Sequence, residues 1–323
     1  AGGNDGFVAR YTGAGALEWA RALGGASGDS AQAVAVAADG SLVVGGTFSG
    51  SASFGGATLT SGGGTDGFLV GLSATGAHRW SSRLGGPSTD NVAALAMGAG
   101  GAVVATGSFY STASFGGAAQ GSAGFSDVFV ASYGAATGAH AWSRRHGGTG
   151  EDEARALAID IAGNIYLAGV FEGTAGFGGT SLSSAGGRDG VLASYTPDGL
   201  HRWSGRYGGD DYDELAGVAF AAPDRLYAIG STSSGVFYPP GAVLSPLGNS
   251  DVILTAYDLE GAHVWSTRMG GSLQDYGKGI AAHGDRAILV GAFEGSAAFA
   301  GLPLMAAGGE YDAEVFVASL RGR

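Results

Sequence analysis

The sequence has no cysteine, which excludes a disulfide framework and a cysteine-ligated zinc site. Basic residues are also scarce, since 16 Lys and Arg stand against 28 Asp and Glu, for a formal net charge of −12. Nucleic acids and anionic membrane surfaces attract Lys and Arg, so this balance argues against both as partners.

No apolar run approaches the ~20 residues that span a bilayer, and we expect no membrane insertion. The opening AGGNDGF resembles interior stretches of the chain, so we expect it to begin at a repeat boundary.

Proline is rare and glycine is abundant, with 7 Pro and 65 Gly in 323 residues. Val, Phe, Tyr and Trp are spaced between glycine-rich turns, a pattern typical of an all-β protein with many tight connections. Hydrophobic residues make up 45% of the chain and charged residues only 14%, so the chain can bury a core and is not expected to be disordered.

One phrase of about twenty residues recurs through the whole chain. It reads DGFVARYTGAGALEWARALGG from Asp5, DGFLVGLSATGAHRWSSRLGG from Asp66, DVFVASYGAATGAHAWSRRHGG from Asp127, DGVLASYTPDGLHRWSGRYGG from Asp189 and DVILTAYDLEGAHVWSTRMGG from Asp251. A shorter copy, EVFVASLRGR, begins at Glu314. We therefore expect a single domain over 1–323, made of five repeats of about 61 residues and a partial copy from 314.

Each repeat predicts four antiparallel strands. Taking 127–189 as the example, strand c is DVFVASY and strand d is AHAWSRR, and after the Gly-Gly pair ALAID (strand a) and NIYLAG (strand b) form a second hairpin. Four-stranded antiparallel sheets that repeat in this way predict a β-propeller with five blades. A β-solenoid is the alternative, but its strands are usually parallel. Strand c occurs six times, so we expect ring closure to combine strands from both termini.

The order of these residues resembles the bacterial β-propeller repeats known as SBBP. The resemblance rests on the acid, the apolar strand, the Trp strand, the Gly-Gly pair, an Asp four residues later, and the pattern A-x-A-x-D-x-x-G-N-x-Y-x-x-G. It covers the whole chain and implies a propeller in a protein of the bacterial cell surface or the extracellular space. The family name speaks of seven blades, whereas this chain has five a and b strands.

An aspartate follows each Gly-Gly pair, just before strand a. This set comprises Asp29, Asp90, Asp152, Asp213 and Asp275. We expect the five to lie on one face near the axis; in one interpretation they bind a hard cation such as Ca²⁺ through oxygen atoms. In the alternative interpretation each Asp accepts backbone N–H bonds and fixes the turn between strands d and a.

All five tryptophans occupy the same position in strand d. They are Trp19, Trp80, Trp142, Trp203 and Trp265. As a multivalent lectin, the protein would use each Trp as a platform for a sugar; in the alternative each Trp packs between neighbouring blades. We favour packing, and we expect Trp80, Trp142 and Trp203 to be largely buried. The His residues two positions earlier lie on outer strands of different blades and are too far apart to share one metal ion.

The sequence shows no catalytic constellation, so we expect that the protein is not an enzyme and binds no cofactor, with Ca²⁺ at the aspartates as the one possible exception.

Cross-strand ion pairs are expected between Asp66 and Arg83, between Asp189 and Arg206, and between Asp251 and Arg268. The proline-bearing loop at 234–251 is the main departure from the repeat. The sequence therefore predicts an extracellular or surface interaction module that binds itself or another surface protein through its surplus c strand, with a glycan as the alternative partner.

Overall fold

A computed structural model describes residues 2–238, 242–284, 286–299, 301–307 and 312–321. Pro239 and Pro240 of the predicted 234–251 loop lie outside these residues. The chain divides into two compact units, one of Ala1–Gly147 with Glu151–Ala154 and one of Gly148–Gly150 with Arg155–Arg323. The single domain over 1–323 stays a prediction.

The first unit contains an N-terminal hairpin and two antiparallel sheets. The hairpin consists of β1 (Gly6–Tyr11) and β2 (Leu17–Gly25). The first sheet consists of β3 (Ser30–Val36), β4 (Leu42–Ser53), β5 (Leu59–Leu72) and β6 (His78–Leu84). The second sheet consists of β7 (Ala94–Met97), β8 (Ala102–Ala113), β9 (Gln120–Gly134) and β10 (His140–Gly148).

Three further sheets follow. The third consists of β11 (Glu153–Ile159), β12 (Ile165–Gly176), β13 (Leu182–Tyr195) and β14 (His201–Tyr207). The fourth consists of β15 (Asp213–Ala221), β16 (Arg225–Thr232), β19 (Asp251–Tyr257) and β20 (His263–Gly271), with a small hairpin of β17 (Val236–Tyr238) and β18 (Ala242–Leu244) between its second and third strands. The fifth has three strands, β21 (Asp275–His283), β22 (Arg286–Glu294) and β25 (Ala313–Arg321), and β23 (Ser296–Phe299) and β24 (Leu302–Met305) lie between the last two.

The chain is therefore all-β, and four of its sheets have the predicted strand order a, b, c, d with antiparallel neighbours. The only helical segment among the described residues is a 3₁₀ turn at Ala99–Gly101. None of the described residues belongs to a helix able to cross a bilayer. Four-stranded antiparallel sheets of this kind are typical of propeller blades.

Strands b and c are longer than the sequence predicts, because the link between them continues the hairpin. In the first sheet the second half of β4 reaches beyond the sheet, and Ser53 and Ala52 pair with Gly24 and Gly25 of β2. In the fifth repeat Gly270 and Gly271 of β20 pair in the same way with β23. In both places the Gly-Gly pair joins strand d to the b–c link that follows it in the same repeat.

The core of each sheet comes from alternating apolar residues on both faces. In the first unit Val43 and Leu69 of the first sheet share a cluster with Val92 and Leu95 of the second repeat. In the second unit Leu254 of the fourth sheet shares a cluster with Phe316 and Leu289 of the fifth. Consecutive sheets within a unit are thus packed face to face.

The predicted ring closure, which combines strands from both termini in one sheet, is not among the strand pairings. Strand β1 pairs with β2 and β25 pairs with β22, and no strand of the described residues joins β2 to β25. Because β2 and β25 belong to different units, ring closure stays a prediction. The number of blades in a closed ring stays a prediction.

Candidate functional site

The five turn aspartates are all buried, and four of them, Asp29, Asp90, Asp213 and Asp275, accept hydrogen bonds from the backbone of their own turn. Asp90 Oδ2 accepts the N–H of Gly86 at 2.7 Å and its Oδ1 accepts the N–H of Tyr110 at 3.3 Å. Asp29 accepts in the same way from Gly25 at 2.6 Å. Asp213 and Asp275 accept from Gly209 and Gly271, each at 2.7 Å. The aspartate thus fixes the turn between strands d and a by binding the second glycine of the pair.

The opening acid of strand c lies next to the turn aspartate of the same repeat. A Cβ atom at Gly85 would lie 2.6 Å from Asp90 Oδ2 and 3.2 Å from Asp66 Oδ1, so both carboxyl groups converge on this glycine. Gly85 has a φ of +148°, which favours glycine as well. The same convergence is present at Gly270, with Asp251 and Asp275. Each pair of carboxyl groups is therefore held together around the first glycine of its Gly-Gly pair.

Burial makes these carboxyl groups weaker acids. It raises the pKa of Asp90 to about 6, and the neighbouring charge of Asp66 adds to the shift, against hydrogen bonds from Gly86 and Tyr110. It also raises the pKa of Asp275 to about 6, with the charge of Asp251 adding to it. A carboxyl pair that shares a buried site favours binding one proton, because two adjacent charges repel each other.

The opening acids also have arginine partners, as predicted. Arg83 Nη1 lies 2.9 Å from Asp66 Oδ2, Arg206 Nη1 lies 2.6 Å from Asp189 Oδ2, and Arg268 Nε lies 3.8 Å from Asp251 Oδ2. A fourth pair joins Arg145 to Asp127 at 2.6 Å. The pairs are diagonal, because Arg83 stands opposite Phe68 in the ladder. They hold the edge of strand d to the start of strand c.

The described residues contain no group of three or more His, Asp or Glu placed to hold a metal ion. Since the turn aspartates bind backbone N–H groups, their local geometry favours the turn-fixing interpretation. A ring of all five that binds Ca²⁺ stays a prediction.

The tryptophans of strand d contact the turn between strands c and d of the next repeat. Trp19 Nε1 donates to the carbonyl of Ala74 at 3.1 Å, Trp80 to Ala135 at 2.9 Å, and Trp203 to Leu259 at 2.9 Å. A glycine of that turn lies on the indole face; for Trp80 a Cβ atom at Gly138 would come within 2.6 Å of the ring.

All five tryptophans are half-buried, including Trp80, Trp142 and Trp203, for which the sequence predicts larger burial. The difference follows from their position on the outer strand, where a short turn covers only part of the ring. Their use as sugar platforms stays a prediction.

The residue that opens strand d packs against the b–c link of its own sheet. A Cβ atom at Gly56 would lie 2.4 Å from His78 Cε1, and Gly117 and Gly179 stand in the same relation to His140 and His201. Burial lowers the pKa of His201. These histidines are packing residues of the link in the described sheets.

In the part of the chain that the structure describes, the fifth sheet has no strand d, and a cavity of about 490 Å³ lies beside β25. It is lined by Trp265 and Arg268 of β20, by Gly301 of the b–c link and by Leu320 of β25, among others. Gly301 is the counterpart of Gly56, yet no described atom outside its chain neighbours lies within 4 Å of its Cβ direction. The cavity therefore lies where a strand d begins in the complete sheets.

The two terminal c strands expose opposite faces. In β1, Phe7 is exposed and Val8 packs against the cluster of the first sheet. In β25, Phe316 is buried and Val315 and Val317 are exposed. Sequence analysis predicts a surplus strand but not this division of faces, because the neighbouring sheets decide it.

Comparison with known proteins adds limited information. No family model and no curated protein matches the chain. Solved structures that resemble it include BamB from Moraxella catarrhalis (15% identity, 88% of each chain, TM-score 0.34) and the Dos1 propeller (11%, 91% of this chain and 70% of that chain, 0.40). A third is the quinohemoprotein alcohol dehydrogenase from Comamonas testosteroni (10%, 89% of this chain and 60% of that chain, 0.40). With TM-scores below 0.5, these likenesses are no basis for assigning an activity, and the SBBP resemblance stays a prediction.

Proposed function

We propose that this chain is a non-catalytic interaction module of the β-propeller type that associates with copies of itself through its terminal strands. The observation that carries the proposal concerns β25, which among the described residues pairs with β22 alone and exposes Val315 and Val317 on one face. Unpaired edges next to exposed apolar residues recruit further strands.

The N-terminal hairpin supports the same proposal from the other end of the chain. Strand β1 has one partner, β2, and exposes Phe7 and Tyr11. Strand β3 beside it exposes Val34 and Val36. Two uncovered apolar faces on one chain suit a heterologous contact, in which one end of a copy binds the other end of the next. We place the protein outside a bacterial cell or at its surface, the setting that the SBBP resemblance implies.

Molar mass measured by light scattering over a range of protein concentrations tests the self-association. We expect the mass to rise with concentration for the unaltered chain and to stay at that of one chain for Val317→Lys, because a charge in the exposed face opposes its burial. Ile161→Lys is the matched control, since Ile161 is as exposed as Val315 but lies in a turn of the third sheet. A mass that stays at one chain up to the highest concentration, or rises equally in all three proteins, would contradict the proposal.

A further inference from the structure

We propose that Tyr276 and Glu214 form a cage for an organic cation, that Lys278 of the same chain fills this cage at rest, and that an arginine side chain of a partner protein displaces it. The inference is independent of the proposed self-association, because none of these residues lies on β1 or β25. All three side chains belong to one compact unit, on the first strands of the fourth and fifth sheets.

The cage is built at the start of two neighbouring a strands. Glu214 follows the turn aspartate of the fourth repeat, and Tyr276 follows that of the fifth. Strand β21 is held to the fourth sheet by the N–H of Gly277, which donates to Ser231 Oγ at 3.1 Å. Ser231 stands opposite Glu214 in the ladder of the fourth sheet. The backbone therefore brings the starts of β15 and β21 together.

A cation of the chain itself occupies this cage. Lys278 Nζ lies 2.9 Å from Glu214 Oε1 and 4.8 Å from the centre of the Tyr276 ring. An ammonium group within about 6 Å of an aromatic face is attracted by the ring, and aromatic cages bind organic cations in other proteins. The cage thus holds the kind of group that it is proposed to recognise.

The acid of the cage is buried, whereas its cation is not. The Glu214 side chain is 8% exposed and the Lys278 side chain is 54% exposed. A buried carboxylate needs a positive partner, because a lone buried charge loses its hydration without compensation. A lysine that already lies half in water loses little when it moves out, since exposed ion pairs contribute little to stability. The cage therefore combines a fixed acceptor with an exchangeable occupant.

Further negative charge lies near the aromatic ring. Burial raises the pKa of Tyr276, and the charges of Glu294 and Glu214 add to the shift, so both carboxylates are close to the ring. The Tyr276 hydroxyl donates to Gln274 Oε1, which holds the ring in place. The whole chain carries a formal net charge of −12. A cationic ligand is thus favoured over an anionic one, both at the cage and at long range.

The occupant is an unusual residue for this chain. Of the 16 Lys and Arg in the sequence, Lys278 is the only lysine. An arginine guanidinium binds a carboxylate through two parallel hydrogen bonds and stacks on an aromatic ring, whereas an ammonium is a more strongly hydrated point charge. Lysine at this position therefore holds the cage less firmly than an arginine would. An incoming arginine side chain has the advantage, which is why we name arginine as the ligand.

The alternative is that the pair of Lys278 and Glu214 only ties the fourth sheet to the fifth, and removal of the lysine separates the two interpretations. Lys278→Ala empties the cage and leaves Glu214 buried without its cation, so a ligand cation gains access. We expect the peptide acetyl-Gly-Arg-Gly-amide to bind this variant about tenfold more tightly than the unaltered chain, because the lysine no longer competes for the site. Isothermal titration calorimetry measures both affinities.

Arg225→Ala is the matched control. It also removes one positive charge beside a carboxylate of the fourth sheet, since Arg225 lies 3.9 Å from Asp224. We expect it to leave the affinity at the value of the unaltered chain. Glu214→Gln added to Lys278→Ala is expected to abolish binding, and Tyr276→Leu added to Lys278→Ala is expected to weaken it. A peptide with glutamine in place of arginine is expected not to bind.

A second measurement uses the unaltered protein, so it does not depend on the folding of a variant. Because Lys278 is the only lysine, mass spectrometry of its proteolytic peptide follows acylation of this one side chain. We expect the arginine peptide to speed the acylation, since the displaced amine is more accessible, and the glutamine peptide to leave it unchanged. If the arginine peptide leaves the rate unchanged, or binds Lys278→Ala no more tightly than Arg225→Ala, the proposal is wrong and the pair is structural. A gain in affinity that Glu214→Gln does not remove would overturn it as well.

Discussion

The same five residues, Val-Phe-Val-Ala-Ser, occur at 128–132 in the second sheet and at 315–319 in the fifth, and their surroundings differ most on the valine face. The phenylalanine is buried in both segments, at 0% exposure for Phe129 and 2% for Phe316. Val128 and Val130 are 0% and 1% exposed, whereas Val315 and Val317 are 79% and 71% exposed. Local sequence therefore determines that both segments form strand c, and the neighbouring sheet determines whether the valine face is covered.

The largest expected effect comes from placing a charge at the equivalent valine of each segment. Val130→Asp buries an unpaired carboxylate and is expected to cost more than about 4 kcal/mol of the free energy of unfolding. Val317→Asp is expected to change it by less than about 0.5 kcal/mol, because the side chain is in water. Urea unfolding at a concentration where the protein is a single chain gives both values. Equal costs at the two positions would show that the valine face of β25 is covered within one chain.

A smaller difference is expected between two tryptophans. Trp80 is covered by the turn of the next repeat and donates a hydrogen bond to Ala135, whereas Trp265 lines the cavity of the fifth sheet. We expect Trp80→Ala to cost about 3 kcal/mol of unfolding free energy, as for large packed aromatic residues, and Trp265→Ala to cost less than half of that. Thermal or urea unfolding measures both. Costs below about 1 kcal/mol at both sites, with loss of binding on a glycan array, would favour the lectin instead.

The carboxyl pairs predict an unusual dependence of stability on pH. The pKa of Asp90 is raised from 3.8 to about 6 in the folded state, so the folded state binds more protons than the unfolded state as pH falls below about 6. Stability contributed by the pair is therefore fully present below about pH 4 and is lost as pH rises through about 6. Asp66 and Arg83 face the same site, and the arginine reduces the effect without reversing it. We expect the melting temperature to fall between pH 5.5 and pH 7.5.

Asp90→Asn checks the origin of this dependence, because it removes the ionisable group and keeps an acceptor for Gly86. It is expected to make the melting temperature less sensitive to pH over the same range. Asp198→Asn, at an exposed position, is the control, and it should leave the slope unchanged. A melting temperature that rises from pH 5.5 to pH 7.5 in the unaltered protein would contradict this account of the pairs.

The smallest effect is expected from calcium. Because the turn aspartates bind backbone N–H groups, we expect millimolar Ca²⁺ to leave the melting temperature unchanged. A cation that bound the folded state alone would raise it with concentration. Such a rise, lost in Asp213→Asn, would establish the aspartate ring as a cation site.

Features that repeat could be predicted from the sequence, since each copy confirms the others. The strand order within the repeat and the pairs of Asp66 with Arg83 and Asp189 with Arg206 follow from spacing alone. Sequence analysis does not predict that Asp66 lies next to Asp90. The two carboxyl groups come together only when the turn at the Gly-Gly pair has folded. Whether the faces of β1 and β25 are covered depends on the strands and sheets that pack next to them. The local sequence does not specify those neighbours.

Amide hydrogen exchange of the two Val-Phe-Val-Ala-Ser segments tests the central claim most directly, because it measures the protection of the backbone N–H groups of each strand separately. We expect residues 128–132 to be protected at every protein concentration. For residues 315–319 we expect weak protection in the dilute single chain and strong protection as the concentration rises and a second strand pairs with β25. Equal protection of both segments in the dilute protein, or weak protection of 315–319 at every concentration, would contradict the claim that this strand is an open edge that joins copies of the chain.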